Sequence, residues 1–332
     1  MSIELRKKNH IDICLKEDVR SQITNGFEKY RLIHNALPES DFSRYSIETE
    51  FLGKTVSAPF LISSMTGGTE AGEKINHQLL TAANELNLPF AIGSQRIYLL
   101  HPEIKPIHYR KIAPNIPLLA NVGAVQLNYG FKRDDFLRAV EMIGADALIL
   151  HLNPLQELIQ KNGDTDFSGL LEKIGNLCRD FPVPVVIKEV GYGINYRNAA
   201  KLSEAGAAMI DVAGAGGTSW SQVERFLSDD KAVSAAAEPF RGWGIPTAEC
   251  IASIHEHDPE IKLIASGGIM DGVEAAKAVY LGADIVGLAA RLLPFAADRS
   301  PEALINELKT LILQYKTAMF LSDGIELIQR EA

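Results

Sequence analysis

From about residue 55 onward, short apolar runs alternate with amphipathic stretches of helical period, and this alternation constrains the fold more than any other property of the chain. The apolar runs are residues 58–63, 89–93, 117–122, 147–151, 184–189, 208–212, 262–265 and 285–288. Between them lie helical patterns at 74–86, 134–143, 170–180, 198–204, 248–255 and 273–280, with a last helix from 301 to about 320. Strands separated by helices run parallel and connect by right-handed crossovers. Runs that are apolar on both faces are buried on both sides. Eight such units predict an α/β chain closed into a TIM (β/α)8 barrel, with an open doubly wound sheet as the alternative. No Gly-rich turn of dinucleotide-binding form follows the first run, which favours the barrel.

Polar and glycine residues gather just after the runs: MTGG (65–68), GSQR (93–96), NVGAVQ (121–126), HLNPLQE (151–157), KEVGYG (188–193), AGAGGTSW (213–220), SGGI (266–269) and AAR (289–291). All strand ends of such a barrel open onto one face, so these motifs converge on one site. Two segments break the pattern. Residues 1–50 precede the barrel (51–332) and are rich in charge, and residues 218–246 form a long insertion after the sixth strand. Long loops at this face serve as lids or as plain surface excursions. The expectation is that both segments order over an anionic ligand, the first through Arg6, Lys7 and His10.

Within residues 262–293 the order is strand, Gly-Gly turn, helix capped by Asp271 and ended by Gly282, strand, small-residue turn. Two such turns, around Gly267-Gly268 and Ala289-Ala290, offer backbone N–H groups to a phosphate. Lys188 ends an apolar strand and points a cation into the barrel mouth, suited to a Schiff base, to the electron-rich side of a flavin, or to a salt bridge. AGAGGTSW is neither a P-loop nor a dinucleotide fingerprint, because no Lys follows and Ser219 replaces the last Gly. Glu157 suits Mg2+ held by one carboxylate, waters and substrate phosphates, or is simply solvated. His151 can bind an anion, exchange a proton or sit in the core.

Composition narrows the partners. Lys and Arg total 33 against 42 Asp and Glu, a net charge of −9, which argues against nucleic acid while leaving a local anion site open. Cys14, Cys178 and Cys250 have neither paired nor metal-like spacing, which fits a reducing cytoplasm. The first residues lack the apolar core of a secretory signal, and no run approaches the ~20 apolar residues of a membrane span. A homo-oligomer associating through exposed helices is expected.

The set Arg6, Lys7 and His10 with MTGG, GSQR, NVGAVQL, HLNPLQE, KEVGYGI, GGTSW and SGGI resembles the type 2, flavin-dependent isopentenyl-diphosphate isomerase family, from Arg6 to about residue 293. MTGG with HLNPLQE is specific to that family; KEVG and SGGI occur more widely among FMN barrels. One departure is Ala213, where relatives often carry Ser. The resemblance implies an FMN-binding TIM barrel in isoprenoid biosynthesis that interconverts isopentenyl and dimethylallyl diphosphate with reduced FMN, Mg2+ and NADPH as reductant. By position it places FMN on Met65, Thr66, Gly67, Ser94, Asn121, Lys188, Thr218, Gly267, Gly268, Ala289 and Ala290. It places the substrate diphosphate on Arg6, Lys7, His10, Ser94, Arg96, His151, Asn153 and Gln156, and Mg2+ on Glu157. Gln156, Asn153 and His151 are the catalytic candidates, with reduced FMN as acid and base.

Three other readings compete. A 2-hydroxy-acid oxidase needs a catalytic His after the sixth strand, and AGAGGTSW has none. An inosinate-type dehydrogenase needs a nucleophilic Cys on a barrel loop, whereas the three cysteines fall in the N-terminal segment or in helical patterns. A non-catalytic FMN-binding barrel would bind flavin without isomerising anything.

Overall fold

The computed structural model describes residues 3–298, 300–322 and 327–329. Among these, eight parallel strands close on themselves: β1 (Phe60–Ile62), β2 (Phe90–Ala91), β3 (Leu118–Gly123), β4 (Ala147–His151), β5 (Val185–Lys188), β6 (Met209–Asp211), β7 (Leu263–Ser266) and β8 (Ile285–Leu288). Closure runs through β8 and β1, where Val286 pairs with Phe60 and Leu288 with Ile62, and this excludes the open sheet. Six strands lie inside an expected run, and β3 and β7 each extend one residue past theirs, to Gly123 and Ser266. The ladder of β2 is short, and just past it the Gly93 N–H donates to the Thr66 carbonyl at 3.1 Å.

Side-chain alternation separates inside from outside. Leu61, Ala91, Leu119, Ile149, Val186, Met209, Ile264 and Ile285 pack on one another inside the barrel. Their neighbours, such as Leu118, Ala120, Leu148, Leu150, Ile187, Ile210 and Leu263, pack outward against the helices. One full period further along each strand, the inward position falls on Ser63, Gly93, Asn121, His151, Lys188, Asp211, Ser266 and Gly287. The apolar core therefore ends in a ring of polar and small residues at the C-terminal rim. At the other end, the hairpin of Thr49–Phe51 and Lys54–Val56 pushes Phe51 and Val56 into the barrel interior as a plug.

Helix α1 (Ile3–Lys16) places Arg6, Lys7 and His10 against the mouth. Residues 1–50 are thus several pieces: α1 meets the rim, Tyr30–Leu32 pairs with Leu327–Gln329 outside the barrel, and the chain then leads into the plug. Helix α2 (Pro154–Ile159) follows β4 directly. The insertion after β6 folds as helix α3 (Trp220–Leu227), helix α4 (Lys231–Ala237) and a 3-10 turn, Glu238–Gly242. After β7, Asp271 caps Gly272–Tyr280 as expected, accepting from the N–H groups of Val273 and Glu274. Gly282, at φ 112°, turns the chain out of that helix. No helix among the described residues is long and apolar enough to cross a membrane.

Candidate active site

The rim opens into a cavity of about 340 Å³. The structure brings together there Arg6, Lys7, His10, Met65, Thr66, Ser94, Arg96, Asn121, His151, Asn153, Gln156, Glu157, Lys188, Thr218, Gly267, Gly268, Ala289 and Ala290. Gly67 is set back from it. Its Cα faces Asn76, Glu73 and Tyr98, and its carbonyl accepts from Lys7 Nζ at 2.8 Å. Lys7 also donates to the Ser94 carbonyl at 2.6 Å, so α1 is stitched to the loops after β1 and β2. Burial pulls the Lys7 ammonium down to about 8 against the opposing charge of Glu73.

One wall is built from β2 to β4 and carries amides and ions. Glu157 is buried; its Oε1 accepts from Asn153 Nδ2 at 2.9 Å and its Oε2 from the Asp164 N–H at 2.8 Å. Burial raises its carboxyl above the ordinary range, partly opposed by those two bonds. Asp164 in turn holds Arg96 at 2.7 Å and accepts from Gln126 Nε2 at 2.9 Å. Asn153 Oδ1 is buried without a hydrogen-bond partner. Asn121 Oδ1 meets His151 Nδ1 at 2.7 Å. Burial, with the charges of Lys188, Lys7 and Arg96, presses the His151 imidazole down to about 3. His151 is accordingly neutral at physiological pH, a polar contact rather than a cationic anion clamp.

Above this wall α1 and α3 meet at Glu224. Its Oε1 lies 3.0 Å from Arg6 Nη2 and 3.1 Å from His10 Nε2, and accepts from Gln156 Nε2 at 2.9 Å. Burial pushes the Glu224 carboxyl up, but His10, Arg6 and Gln156 outweigh it and hold the group below the ordinary range. His10 also packs edge-on against Trp220, with ring centroids 5.4 Å apart.

The opposite wall, from β6 to β8, is backbone and small residues. The loops after β6 and β7 interlock so closely that a Cβ on Gly267 would lie 2.1 Å from the Gly214 carbonyl oxygen. Glycine is required at Gly267 by both that approach and a φ of 108°. Thr247 Oγ1 donates to the Gly267 carbonyl at 2.6 Å, and Asn25 Nδ2 to the Gly268 carbonyl at 2.8 Å. Ala213, the departure noted in the sequence, adopts a φ of 35°, a left-handed conformation unusual for a residue with a Cβ. Between the walls, Lys188 Nζ donates to Ser266 Oγ at 3.1 Å and lies 3.3 Å from Asp211 Oδ2.

Glu224, Asp164, Thr247, Asn25 and Asp211 did not stand out in the sequence. Asp211 left a usable signal, since it is the one charge in the apolar run 208–212 and shares the inward parity of Met209. Glu224 sits one turn after Trp220 and so on its face of α3, while Asp164 and Asn25 lie in irregular segments that offered no periodicity to read.

A family model for FMN-dependent dehydrogenases matches residues 14–104 and 150–322. An isopentenyl-diphosphate delta-isomerase of Synechococcus sp. is 49% identical, covering 97% of this chain and 93% of its own. The enzyme of the same name from Oceanobacillus iheyensis is 48% identical over 96% and 91%, and that from Rickettsia prowazekii 45% over 95% and 92%. Solved structures of an (S)-mandelate dehydrogenase (TM-score 0.64, 99% of this chain and 92% of that one) and of flavocytochrome b2 (0.66, 98% and 77%) share the barrel; at 17% identity each speaks to fold alone. Nearly half of the residues shared over almost the full length, joined to the flavoprotein family match, mean that this chain belongs to the isopentenyl-diphosphate delta-isomerase family, in its FMN-dependent form.

Proposed function

We propose that the cavity carries out the interconversion of isopentenyl and dimethylallyl diphosphate with FMN, Mg2+ and NADPH, in the cytoplasm and as a homo-oligomer. The observation that carries the reading is the unlike character of the two walls. The β6–β8 side is a cradle of glycine and alanine backbone with Lys188 at its edge, suited to a flat ring and its phosphate. The β2–β4 side, with α1 above it, supplies cations and amides to a diphosphate and its short alkene tail.

Moving the double bond by one position adds a proton at the terminal alkene carbon and removes another from the carbon two positions away, with no net redox change. The alkene is a poor base, so the acid must be strong and water kept out. Reduced FMN would supply the proton carrier. Met65, Thr66, Gly67, Ser94, Asn121, Lys188, Thr218, Gly267, Gly268, Ala289 and Ala290 would hold it. Arg6, Lys7, His10, Ser94 and Arg96 would bind the diphosphate, so that α1, with the insertion at 218–246, closes as a lid over the anion. Asn153 and Gln156 would orient the alkene; Glu224 already fixes the Gln156 amide. Neutral His151 would contribute a hydrogen bond rather than a charge.

Glu157 would supply a carboxylate oxygen to Mg2+: its two oxygens now accept N–H groups of Asn153 and Asp164, and Asn153, on the same cavity wall, carries an Oδ1 with no hydrogen-bond partner. Among the described residues no cluster of three His, Cys, Asp or Glu groups forms, so the ion would be completed by water and by the diphosphate itself. Anaerobic incubation with FMN, NADPH, Mg2+ and isopentenyl diphosphate in heavy water, followed by NMR, tests the whole reading. Deuterated dimethylallyl diphosphate with only catalytic NADPH consumption is the expected result. Full turnover without flavin would refute the acid–base assignment, and a flavin-loaded protein that forms no product would point to an oxidoreductase.

A further inference from the structure

Beneath the cavity, Asp211 is completely buried at the end of β6, directly across from Lys188 in the strand register. Its Oδ1 accepts from Ser266 Oγ at 2.5 Å and from the Ala213 N–H at 3.3 Å. Its Oδ2 has no hydrogen bond and faces Lys188 Nζ at 3.3 Å. Ser266 Oγ closes the figure by accepting from Lys188 Nζ at 3.1 Å. Lys188 lines the cavity and Asp211 does not. A buried, ionised carboxylate is strongly unfavourable without a partner, and the Lys188 ammonium is the cation placed to balance it.

We infer that Asp211 is a positioning residue for the flavin site: its carboxylate fixes the Lys188 ammonium at the cavity floor and offsets its charge, and so sets how strongly the site favours an electron-rich, reduced cofactor. The inference rests on the FMN reading above. An unbalanced lysine would hold an anionic ring strongly; a lysine tied to a buried carboxylate presents a much weaker field. Ser266 matters because it bonds both partners and fixes their geometry. The same contact ties the strained Ala213 backbone to the pair, through the N–H that Asp211 accepts.

The test compares wild type with D211N, an isosteric change that removes the charge and leaves the shape. Both proteins are loaded with FMN, and the two-electron midpoint potential is measured by dye equilibration, with FMN affinity measured alongside. The reduction equilibrium in D211N is expected to shift about tenfold toward reduced flavin, about 30 mV for a two-electron couple. A residue that merely packs would leave the potential unmoved, so equal potentials in two folded holoproteins overturn the inference while leaving the FMN reading intact. Failure of wild type to bind FMN at all removes the reading and the inference with it. Should D211N not fold, D211S removes the same charge with a smaller side chain and leaves Lys188 in place. The same tenfold shift is then expected, and a potential equal to that of wild type overturns the inference.

Discussion

Replacing Glu224 by Gln should loosen α1 without unfolding the barrel. One carboxylate oxygen takes Arg6 at 3.0 Å, His10 at 3.1 Å and Gln156 at 2.9 Å. A glutamine carbonyl can occupy the same position, so the variant removes charge rather than shape. A hydrogen bond to an ionised group contributes about 1.5–3 kcal/mol and a neutral one about 0.5–1.5. One such bond reaches Glu224 from α1, donated by Arg6, with His10 Nε2 beside it as an ion-pair contact; the Arg6 side chain is 22% exposed and its share is screened by solvent. A loss of about 1–2 kcal/mol is left, on the order of tenfold in the population of detached helix. Trypsin cleavage at Lys8 and Lys16 follows that open population, so it should quicken about tenfold while the global melting curve barely moves. KM for the diphosphate should rise by a similar factor with a smaller change in kcat, the signature of lost uniform binding. Because the Glu224 carboxyl is held below its ordinary value of 4.5, its contribution to helix docking is present above that pH and is lost as pH falls through the lowered value. Unchanged cleavage together with an unchanged KM would refute the view that Glu224 anchors α1.

Gly267→Ala should cost about 3 kcal/mol in urea denaturation, from the left-handed φ and the 2.1 Å approach to the Gly214 oxygen. It should also weaken FMN binding at least tenfold; wild-type affinity would show that the interlocked loops do not shape the cradle. His151, held near 3, should keep the nitrogen chemical shifts of a neutral imidazole from pH 8 to pH 5 in the flavin-free protein; a transition near 6.5 would contradict its burial. Glu189 is buried, and burial raises it to about 7 despite accepting the N–H groups of Val190, Gly191 and Tyr192. The folded state therefore holds that proton more tightly than the unfolded chain. Wild type should lose about 3 kcal/mol of stability relative to Glu189→Gln as pH rises from about 4.5 to 7, measured by paired denaturation curves, and parallel curves would refute the shift.

Much of the barrel was legible because strands buried on both faces leave an unbroken apolar run, and all eight runs found their strand. The motifs at the run ends were legible for the same reason, since a strand's inward parity must end where the apolar core ends. Less legible was the division of residues 1–56 into a rim helix, an outer strand and a bottom plug. Nothing in a charged stretch such as α1 says which end of a barrel it will meet. The glycines of the loops after β6 and β7 invited a purely ligand-facing explanation. The structure adds that they let two loops interlock, with the Gly267 Cα turned toward Gly214 rather than only toward a ligand.

Sequence by itself determined the alternation of elements, the closed parallel sheet and the identity of most residues on the rim, because each depends on local period and on parity along one strand. Tertiary structure alone decided the charge balance of the site. Glu224 and Arg6 are separated by 218 positions and Lys188 and Ser266 by 78, and a lone acid in a helix or strand reads the same whether it meets solvent or a cation. Electrostatic energy depends on distance through space and on burial, and neither quantity exists until the barrel has closed.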